Sequence, residues 1–216
     1  LVHIKEKRYE EALKYFKESL GITKSLSPIS YTALKDTMRN IGLIYEDEGK
    51  YEEAVKCYKE LFDILPVDSQ FKSTVLTNIR KVYCVNQNKP DEALDFFKQI
   101  LETNKQRLPK NHSLIAGILN SIGQVHFGNK KYEEALSFFN QSLDIRLEIS
   151  PTDYNAIGDL YYNIGLSNHR SNKFTDALEK NKNALEFYEK NPILNHNQIL
   201  RTYYNMAIVY FKLVFF

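Results

Sequence analysis

The sequence has few of the residues that interrupt regular secondary structure. Its 216 residues include 8 glycines and 6 prolines, against 15 tyrosines and 13 phenylalanines. Glycine and proline are the residues that most often end helices and strands. Their scarcity therefore predicts long secondary-structure elements joined by short connections. The content of 43% hydrophobic and 26% charged residues is close to that of soluble globular proteins and excludes an intrinsically disordered chain.

Cysteine, net charge and long apolar runs are also scarce. Cys57 and Cys84 are too few for a disulfide framework or a metal cluster, and they favour a reducing, cytoplasmic location. The formal net charge is only +2, so no basic block is available to bind a nucleic-acid backbone. The apolar stretch at 206–216 covers about 11 residues, whereas about 20 are needed to cross a bilayer. We therefore predict neither a nucleic-acid nor a membrane partner.

The chain begins in the middle of a helical pattern. Leu1 stands where an initiator methionine is expected, and the residues after it contain no signal-peptide n-region, h-region or cleavage site. We therefore expect the sequence to be part of a longer protein.

A repeat of about 42 residues runs through the sequence. Five alanines recur at intervals of 42, 39, 42 and 42 residues, namely Ala12, Ala54, Ala93, Ala135 and Ala177. Glycines stand 12 residues before three of them, namely Gly42, Gly123 and Gly165. Such regular spacing predicts an array of similar structural units.

Each repeat has the pattern of two helices. Apolar residues recur every three or four positions, as in Met38, Ile41 and Tyr45, and the joins within a repeat are short and polar, which predicts antiparallel hairpins. A small residue in the first helix, paired with the alanine of the second, lets the two helices cross closely. The third repeat has Arg80 at the glycine position and one extra residue in its turn, so we expect a looser hairpin there.

Stop and start signals such as Ser27-Pro28 and Asn191-Pro192 separate the repeats. We predict a single array over residues 1–216. It consists of a truncated repeat (second helix) at 1–26, complete repeats at 29–66, 70–108, 112–150 and 154–191, and a truncated repeat (first helix) at 197–216.

The pattern resembles the tetratricopeptide repeat (TPR), which has a small residue at position eight, alanine at position twenty and an aromatic residue at position twenty-four. Gly42, Ala54 and Tyr58 fill these positions in the second repeat. The 42-residue period and the Asn111-His112 and Asn195-His196 turns are similar to the longer repeats of kinesin light chain. The resemblance covers almost the entire chain. It implies an all-α fold, an α-solenoid of antiparallel helix hairpins wound into a right-handed superhelix.

In such a superhelix the first helices line a concave groove, so the resemblance implies a protein or peptide ligand there and no cofactor. An asparagine side chain offers both a donor and an acceptor, and a row of them can bind the backbone of an extended peptide. The predicted groove residues are Arg39, Asn40, Asn78, Lys81, Asn120, Ser121, Gln124, Tyr162, Asn163, Leu166, Arg170, Arg201, Tyr204 and Asn205. Acidic residues, among them Glu46 and Asp159, are expected beside them. In the alternative interpretation, the asparagines cap or bridge helices and the groove is only solvated.

No catalytic or metal site is predicted. The sequence has no glycine-rich phosphate loop, GxSxG motif or HExxH motif. His126 occupies an aromatic packing position and is expected in the core, and Cys57 is expected to pack as a small apolar side chain. We predict a noncatalytic interaction scaffold that binds an extended segment or a short helix of a partner in the groove; the alternative is a regulatory or targeting arm of a larger enzyme.

The last residues, FKLVFF, combine high β-propensity with a single charge, which is an aggregation hazard when exposed. However, Tyr203, Met206 and Tyr210 continue the helical spacing of the repeat. We therefore predict a helix that lacks its covering second helix, and self-association through this helix as a further hypothesis.

Overall fold

The computed structural model describes residues 2–26, 28–106, 112–190 and 192–215. Within these ranges it contains α-helices and no β-strand, so the all-α prediction is confirmed. The helices are α1 (Val2–Ser25), α2 (Tyr31–Asp47), α3 (Tyr51–Ile64), α4 (Phe71–Lys81), α5 (Pro90–Gln106), α6 (His112–Gly128), α7 (Tyr132–Ile149), α8 (Tyr154–Arg170), α9 (Phe174–Glu189) and α10 (Pro192–Phe215). A π-helical segment, Val82–Asn86, continues α4.

The chain divides into two compact units, Leu1–Ala93 and Leu94–Phe216. In the first unit, α2 packs against α1 and α3, and α3 packs against α4. In the second unit, α7 packs against α6 and α8, and α9 packs against α8 and α10. Within each unit, these helices that follow each other in sequence are therefore neighbours in space, as expected for hairpins.

The turn within each hairpin contains one residue in the left-handed region of backbone space. These residues are Gly49, Asn88, Lys130 and Asn172, with φ of 73°, 53°, 61° and 60°. Each stands five residues before the alanine of its repeat. The next backbone N–H donates back to the end of the first helix, as in Lys131 to the His126 carbonyl at 2.9 Å. This arrangement satisfies a carbonyl at the helix end and reverses the chain within a few residues.

The third repeat accommodates its extra residue without lengthening the turn. The backbone N–H of Lys89 donates to the carbonyl of Tyr83 at 2.7 Å, a span of six residues where the other hairpins have five. The extra residue is taken up by the π-helical segment Val82–Asn86. Arg80 is half-buried, and burial lowers the pKa of its guanidinium. This hairpin therefore differs from the others at the end of its first helix, and the looser packing expected from the sequence stays a prediction.

Close helix crossings form where the repeat has glycine. A Cβ atom built on Gly42 would lie 2.4 Å from the ring of Tyr58, and one on Gly123 would lie 2.6 Å from the ring of Phe139. Glycine is therefore required because an aromatic ring at position twenty-four fills the space above it. The sequence predicted that the alanine would pair with this small residue. Alanines such as Ala135 are fully buried, and the ring four residues later covers the glycine.

The histidine and cysteine expected in the core are buried there. His126 is 8% exposed and stacks on Phe138, with ring centroids 5.3 Å apart. Burial lowers the pKa of His126, which favours the neutral imidazole. Cys57 is 9% exposed, its thiol donates to the Met38 carbonyl at 3.3 Å, and burial raises its pKa to about 12. Neither residue has the properties of a reactive site.

The C-terminal segment is helical through Phe215, which confirms the helix prediction for Tyr203 to Val214. This helix begins at Pro192, before the predicted start at residue 197, because proline suits the first helical position. The predicted turn residues Asn195 and His196 therefore lie within α10, whereas Asn111 lies outside the described residues. No helix in the described ranges is long and apolar enough to span a membrane.

Candidate functional site

A polar cavity of about 190 Å³ opens beside the first helices of the second unit. Its lining residues are Asn120 and Gln124 from α6, Asp159, Tyr162 and Asn163 from α8, Tyr188 from α9, and Gln198 and Arg201 from α10. Six of them were predicted: Asn120, Gln124, Tyr162, Asn163 and Arg201 as groove residues, and Asp159 as an acidic residue beside them. These residues lie on α6, α8 and α10, which are the first helices of three successive repeats. Their side chains therefore surround one cavity, as the 42-residue spacing predicted.

Asp159 and Tyr188 are joined by a short hydrogen bond at this cavity. The Tyr188 hydroxyl donates to Asp159 Oδ1 at 2.6 Å, and the Tyr188 ring lies against Gly158, where a Cβ atom would be 2.6 Å away. Burial raises the pKa of Asp159, whereas the bond from Tyr188 and the charge of Arg201 act in the opposite direction. Asp159 is exposed when its whole surface is considered. The burial that raises its pKa therefore concerns the carboxylate group, which contacts Tyr188.

Arg201 is positioned by an aromatic ring. Its guanidinium carbon lies 5.1 Å from the centroid of the Tyr162 ring, a cation–π distance. Asparagine Asn195 fixes the start of the same helix, because its amide donates to Asn155 Oδ1 at 2.8 Å and to the Tyr188 carbonyl at 3.1 Å. Arg201 is exposed at the cavity, so its guanidinium N–H groups can donate to a carboxylate of a ligand.

Asn120 and Asn163 are the two asparagines of the cavity, and both are half-buried. The Oδ1 atom of Asn120 is buried, and no described residue donates a hydrogen bond to it. A buried acceptor that is left unpaired costs about 1–3 kcal/mol. This oxygen is enclosed in the present conformation, so a ligand N–H group can recover part of that energy only if the Asn120 amide turns towards the cavity.

Two predicted groove residues of the same unit are buried in helix packing. Asn205 is 4% exposed; its amide donates to Asn181 Oδ1 at 3.2 Å, and its oxygen lies 3.1 Å from His169 Nδ1. Ser121 is 5% exposed and donates to the Gly117 carbonyl at 2.9 Å. For Asn205 the structure therefore shows the bridging interaction that was the alternative in the sequence analysis.

The remaining predicted residues of the second unit lie outside the cavity lining. Leu166 is half-buried, Arg170 is exposed, and Tyr204 is 70% exposed on α10. Tyr188 and Gln198 line the cavity but were not predicted. Tyr188 could not be predicted from the repeat pattern. It packs on Gly158, which lies seven residues before Gly165, the glycine of the repeat.

The first unit contains the other four predicted groove residues. Arg39 is exposed, and Asn40 and Asn78 are half-buried. The Lys81 ammonium group donates to Glu46 Oε2 at 2.8 Å, and Oε1 of the same carboxylate accepts from the Tyr58 hydroxyl at 2.8 Å. Glu46 is 8% exposed. Lys81 and Glu46 are therefore engaged in an ion pair that ties α2 and α3 to α4.

Comparison with known proteins identifies the family. A model of the tetratricopeptide repeat matches residues 1–66, 72–148 and 114–190 of the chain. The chain belongs to the tetratricopeptide repeat family. In the TPR numbering, the glycine at each close crossing is position eight and the aromatic ring that covers it is position twenty-four. The residue with left-handed backbone lies in the turn between these two positions.

Several solved structures share this TPR fold. BtubC (BKLC) from P. vanneervenii superposes with a TM-score of 0.74 at 16% identity, covering 94% of this chain and 83% of that chain. A putative kinesin light chain from Podosopora anserina gives 0.58 at 13% identity, covering 81% and 84%. Bacillus thuringiensis PlcR, in complex with the peptide PapR7 and DNA, gives 0.57 at 19% identity, covering 95% and 69%. No curated protein matches the chain. The likeness to kinesin light chain repeats is confirmed at the level of the fold.

Proposed function

We propose that this TPR chain is a noncatalytic scaffold that binds a peptide segment of a partner protein in the cavity of its second unit. The observation that supports the proposal most directly is the set of amides around Asn120, whose buried Oδ1 receives no hydrogen bond from the described residues. Asn163 and Gln124 line the same cavity and offer further donors and acceptors.

The size of the cavity favours an extended segment. A helix with its side chains is about 10–12 Å across, and a cavity of about 190 Å³ has no room for such a cylinder. It does have room for a peptide group or one polar side chain. We therefore expect the Asn120 amide to turn towards the cavity and accept from a peptide N–H, while the Asn163 amide binds the same backbone.

The charge at the edge of the cavity favours an acidic residue in the ligand. Arg201 is exposed and held against the Tyr162 ring, so its guanidinium is already oriented before a carboxylate arrives. Asp159 carries the opposite charge, but one of its oxygens already accepts from Tyr188. Binding through Arg201 should weaken as salt is added.

The comparison with PlcR supports a peptide ligand. That protein was solved in complex with the peptide PapR7 and DNA, and its structure superposes on 95% of this chain. A solved peptide complex of a protein with a similar fold therefore supports a peptide ligand for this chain.

The proposal predicts that the cavity asparagine contributes to affinity but not to folding. Peptides would be selected from a random display library on the wild-type chain, and their affinities measured by fluorescence anisotropy. Asn163→Ala should weaken binding by roughly fivefold, about 1 kcal/mol, because it removes one hydrogen-bonding amide. The melting temperature should not change.

Asn140→Ala is the matched control, because Asn140 is exposed on α7 outside the cavity lining. It should leave the affinity of the selected peptides unchanged. Equal affinity of these peptides for wild type and Asn163→Ala would refute the assignment of the site. A lower melting temperature of Asn163→Ala with unchanged affinity would show that this asparagine is structural.

A further inference from the structure

A second and larger cavity lies within the first unit. Its volume is about 670 Å³, and the residues that line it lie between Glu52 and Glu92. Cavities of roughly 300–1,000 Å³ are typical binding sites for small organic molecules. We propose that this cavity binds a small zwitterionic molecule in which an apolar chain joins a carboxylate to an ammonium group. The site shares no residue with the peptide cavity of the second unit.

The cavity is elongated, because one of its walls is a complete face of α3. The lining residues on α3 begin at Glu52, end at Ile64 and recur every three or four positions, so they share one side of the helix. At a rise of 1.5 Å per residue, this wall is about 18 Å long. The opposite wall contains Tyr83 of the π-helical segment and residues that follow it. The shape favours an extended ligand.

The floor of the cavity is apolar. Val55 and Tyr83 are 5% and 8% exposed, and Ile64 is half-buried. The Lys59 ammonium group donates to the Tyr83 hydroxyl at 3.0 Å and lies 5.4 Å from the centroid of its ring. The hydrocarbon stem of Lys59 therefore extends from α3 to the opposite wall and adds apolar surface. The middle of a bound ligand should accordingly be apolar.

Most carboxylates of the cavity already have a lysine partner. Lys89 Nζ lies 3.6 Å from Glu52 Oε1 and 3.4 Å from Glu92 Oε1. Glu60 Oε1 lies 2.6 Å from the ammonium group of Lys24 on α1. These three carboxylates are therefore partly neutralised by the chain itself.

Lys56 and Asp63 are the charged lining residues that differ from this pattern. Both are exposed, and neither forms a hydrogen bond or an ion pair with a described residue. They stand seven residues apart on the same face of α3, which separates them by about 10 Å along the helix, too far for a direct ion pair. A ligand with a carboxylate near Lys56 and an ammonium group near Asp63 would pair both charges.

The opposite signs of these two residues determine the class of ligand. A ligand with negative charge at both ends would place one of them beside Asp63, and a ligand with positive charge at both ends would place one beside Lys56. Like charges at short distance are unfavourable, so a molecule with one charge of each sign fits best. An ω-amino acid with a hydrocarbon chain is the simplest molecule of this class.

Isothermal titration calorimetry with 8-aminooctanoate would test the site on the full chain. We expect a single site with a Kd of about 100 µM, since a ligand of this size has few atoms to contribute. Octanoate and octylamine have the same chain with only one charged end. Each should bind about tenfold more weakly than 8-aminooctanoate.

Two substitutions separate the two ends of the ligand. Lys56→Gln and Asp63→Asn should each weaken binding of 8-aminooctanoate about tenfold, and Lys56→Gln should not weaken binding of octylamine. Both side chains are exposed, so the melting temperatures should match wild type. Asp144→Asn is the matched control, because Asp144 is exposed on α7 and stands nine residues after Ala135, as Asp63 stands nine after Ala54. It should bind 8-aminooctanoate like wild type.

Three results would overturn the proposal. The first is a wild-type chain that does not bind 8-aminooctanoate. The second is binding that neither Lys56→Gln nor Asp63→Asn weakens, which would place the ligand elsewhere. The third is octanoate or octylamine that binds as tightly as 8-aminooctanoate, which would show that one charge is sufficient. Asn163→Ala should bind 8-aminooctanoate like wild type, so the peptide site and this site can fail independently.

Discussion

Phe139→Ala should lower the free energy of unfolding by about 3–5 kcal/mol, the usual cost of removing a buried phenylalanine side chain. Phe139 is 1% exposed and fills the space above Gly123. It also belongs to a buried cluster with Leu136, Leu143 and Ile157, which joins α7 to α8. The substitution therefore opens a cavity between two hairpins. Urea unfolding followed by circular dichroism would measure the loss.

Tyr204→Ala provides the comparison for Phe139→Ala, because Tyr204 is 70% exposed on α10. Its effect on stability should stay within about 0.5 kcal/mol. In a repeat array each hairpin depends mainly on its neighbours, so the loss from Phe139→Ala should appear as earlier unfolding around α6, α7 and α8. Similar stabilities of the two variants would show that the ring is not an essential part of the crossing.

Gly123→Ala should destabilise the chain even though alanine is the better helix former. The added Cβ atom would lie 2.6 Å from the Phe139 ring, and overpacking of this kind typically costs about 1–3 kcal/mol. The gain in helix propensity from glycine to alanine offsets at most about 1 kcal/mol of this cost. We therefore expect a lower urea midpoint for Gly123→Ala than for wild type.

Gly21→Ala is the matched control for that substitution. Gly21 lies inside α1, and no atom outside its own helical surroundings is within 4 Å of the position that its Cβ would occupy. The same change there should stabilise the chain by about 0.5–1 kcal/mol. Changes of opposite sign at Gly21 and Gly123 would support the crossing assignment, whereas stabilisation at both positions would contradict it.

Most of the fold could be predicted from the spacing of small and apolar residues. The alanines and glycines fixed the number and order of the helices, because only small residues permit close crossings at regular intervals. The spacing did not show that the ring of Phe139 covers Gly123, since this depends on the crossing geometry. It also did not show that the extra residue after Arg80 is taken up by a π-helix, because an insertion can lengthen either a turn or a helix.

The candidate site could be predicted only in part. The register found Asn120, Asn163 and Arg201, because first-helix positions repeat in space as they do in sequence. Asn205 occupies the same register position as Asn163, yet it is buried, because the repeat before it has Asn181 where others have an aromatic ring. The asparagine at the aromatic position of α9 thus forms a hydrogen bond with an asparagine of α10. This exchange of an aromatic ring for a polar partner can be recognised only when the positions of both helices are known.

The location of a bound peptide tests the central claim most directly. A library-selected peptide with a photo-cross-linking group would be irradiated with the full chain, and the attachment sites identified by mass spectrometry. We predict attachment to residues of α6, α8 and α10 around Asn120, Asn163 and Arg201, and loss of this attachment in Asn163→Ala. The larger cavity of about 670 Å³ lies in the first unit, between α3 and the segment around Tyr83. Attachment mainly to that cavity, unchanged in Asn163→Ala, would contradict the proposed binding site.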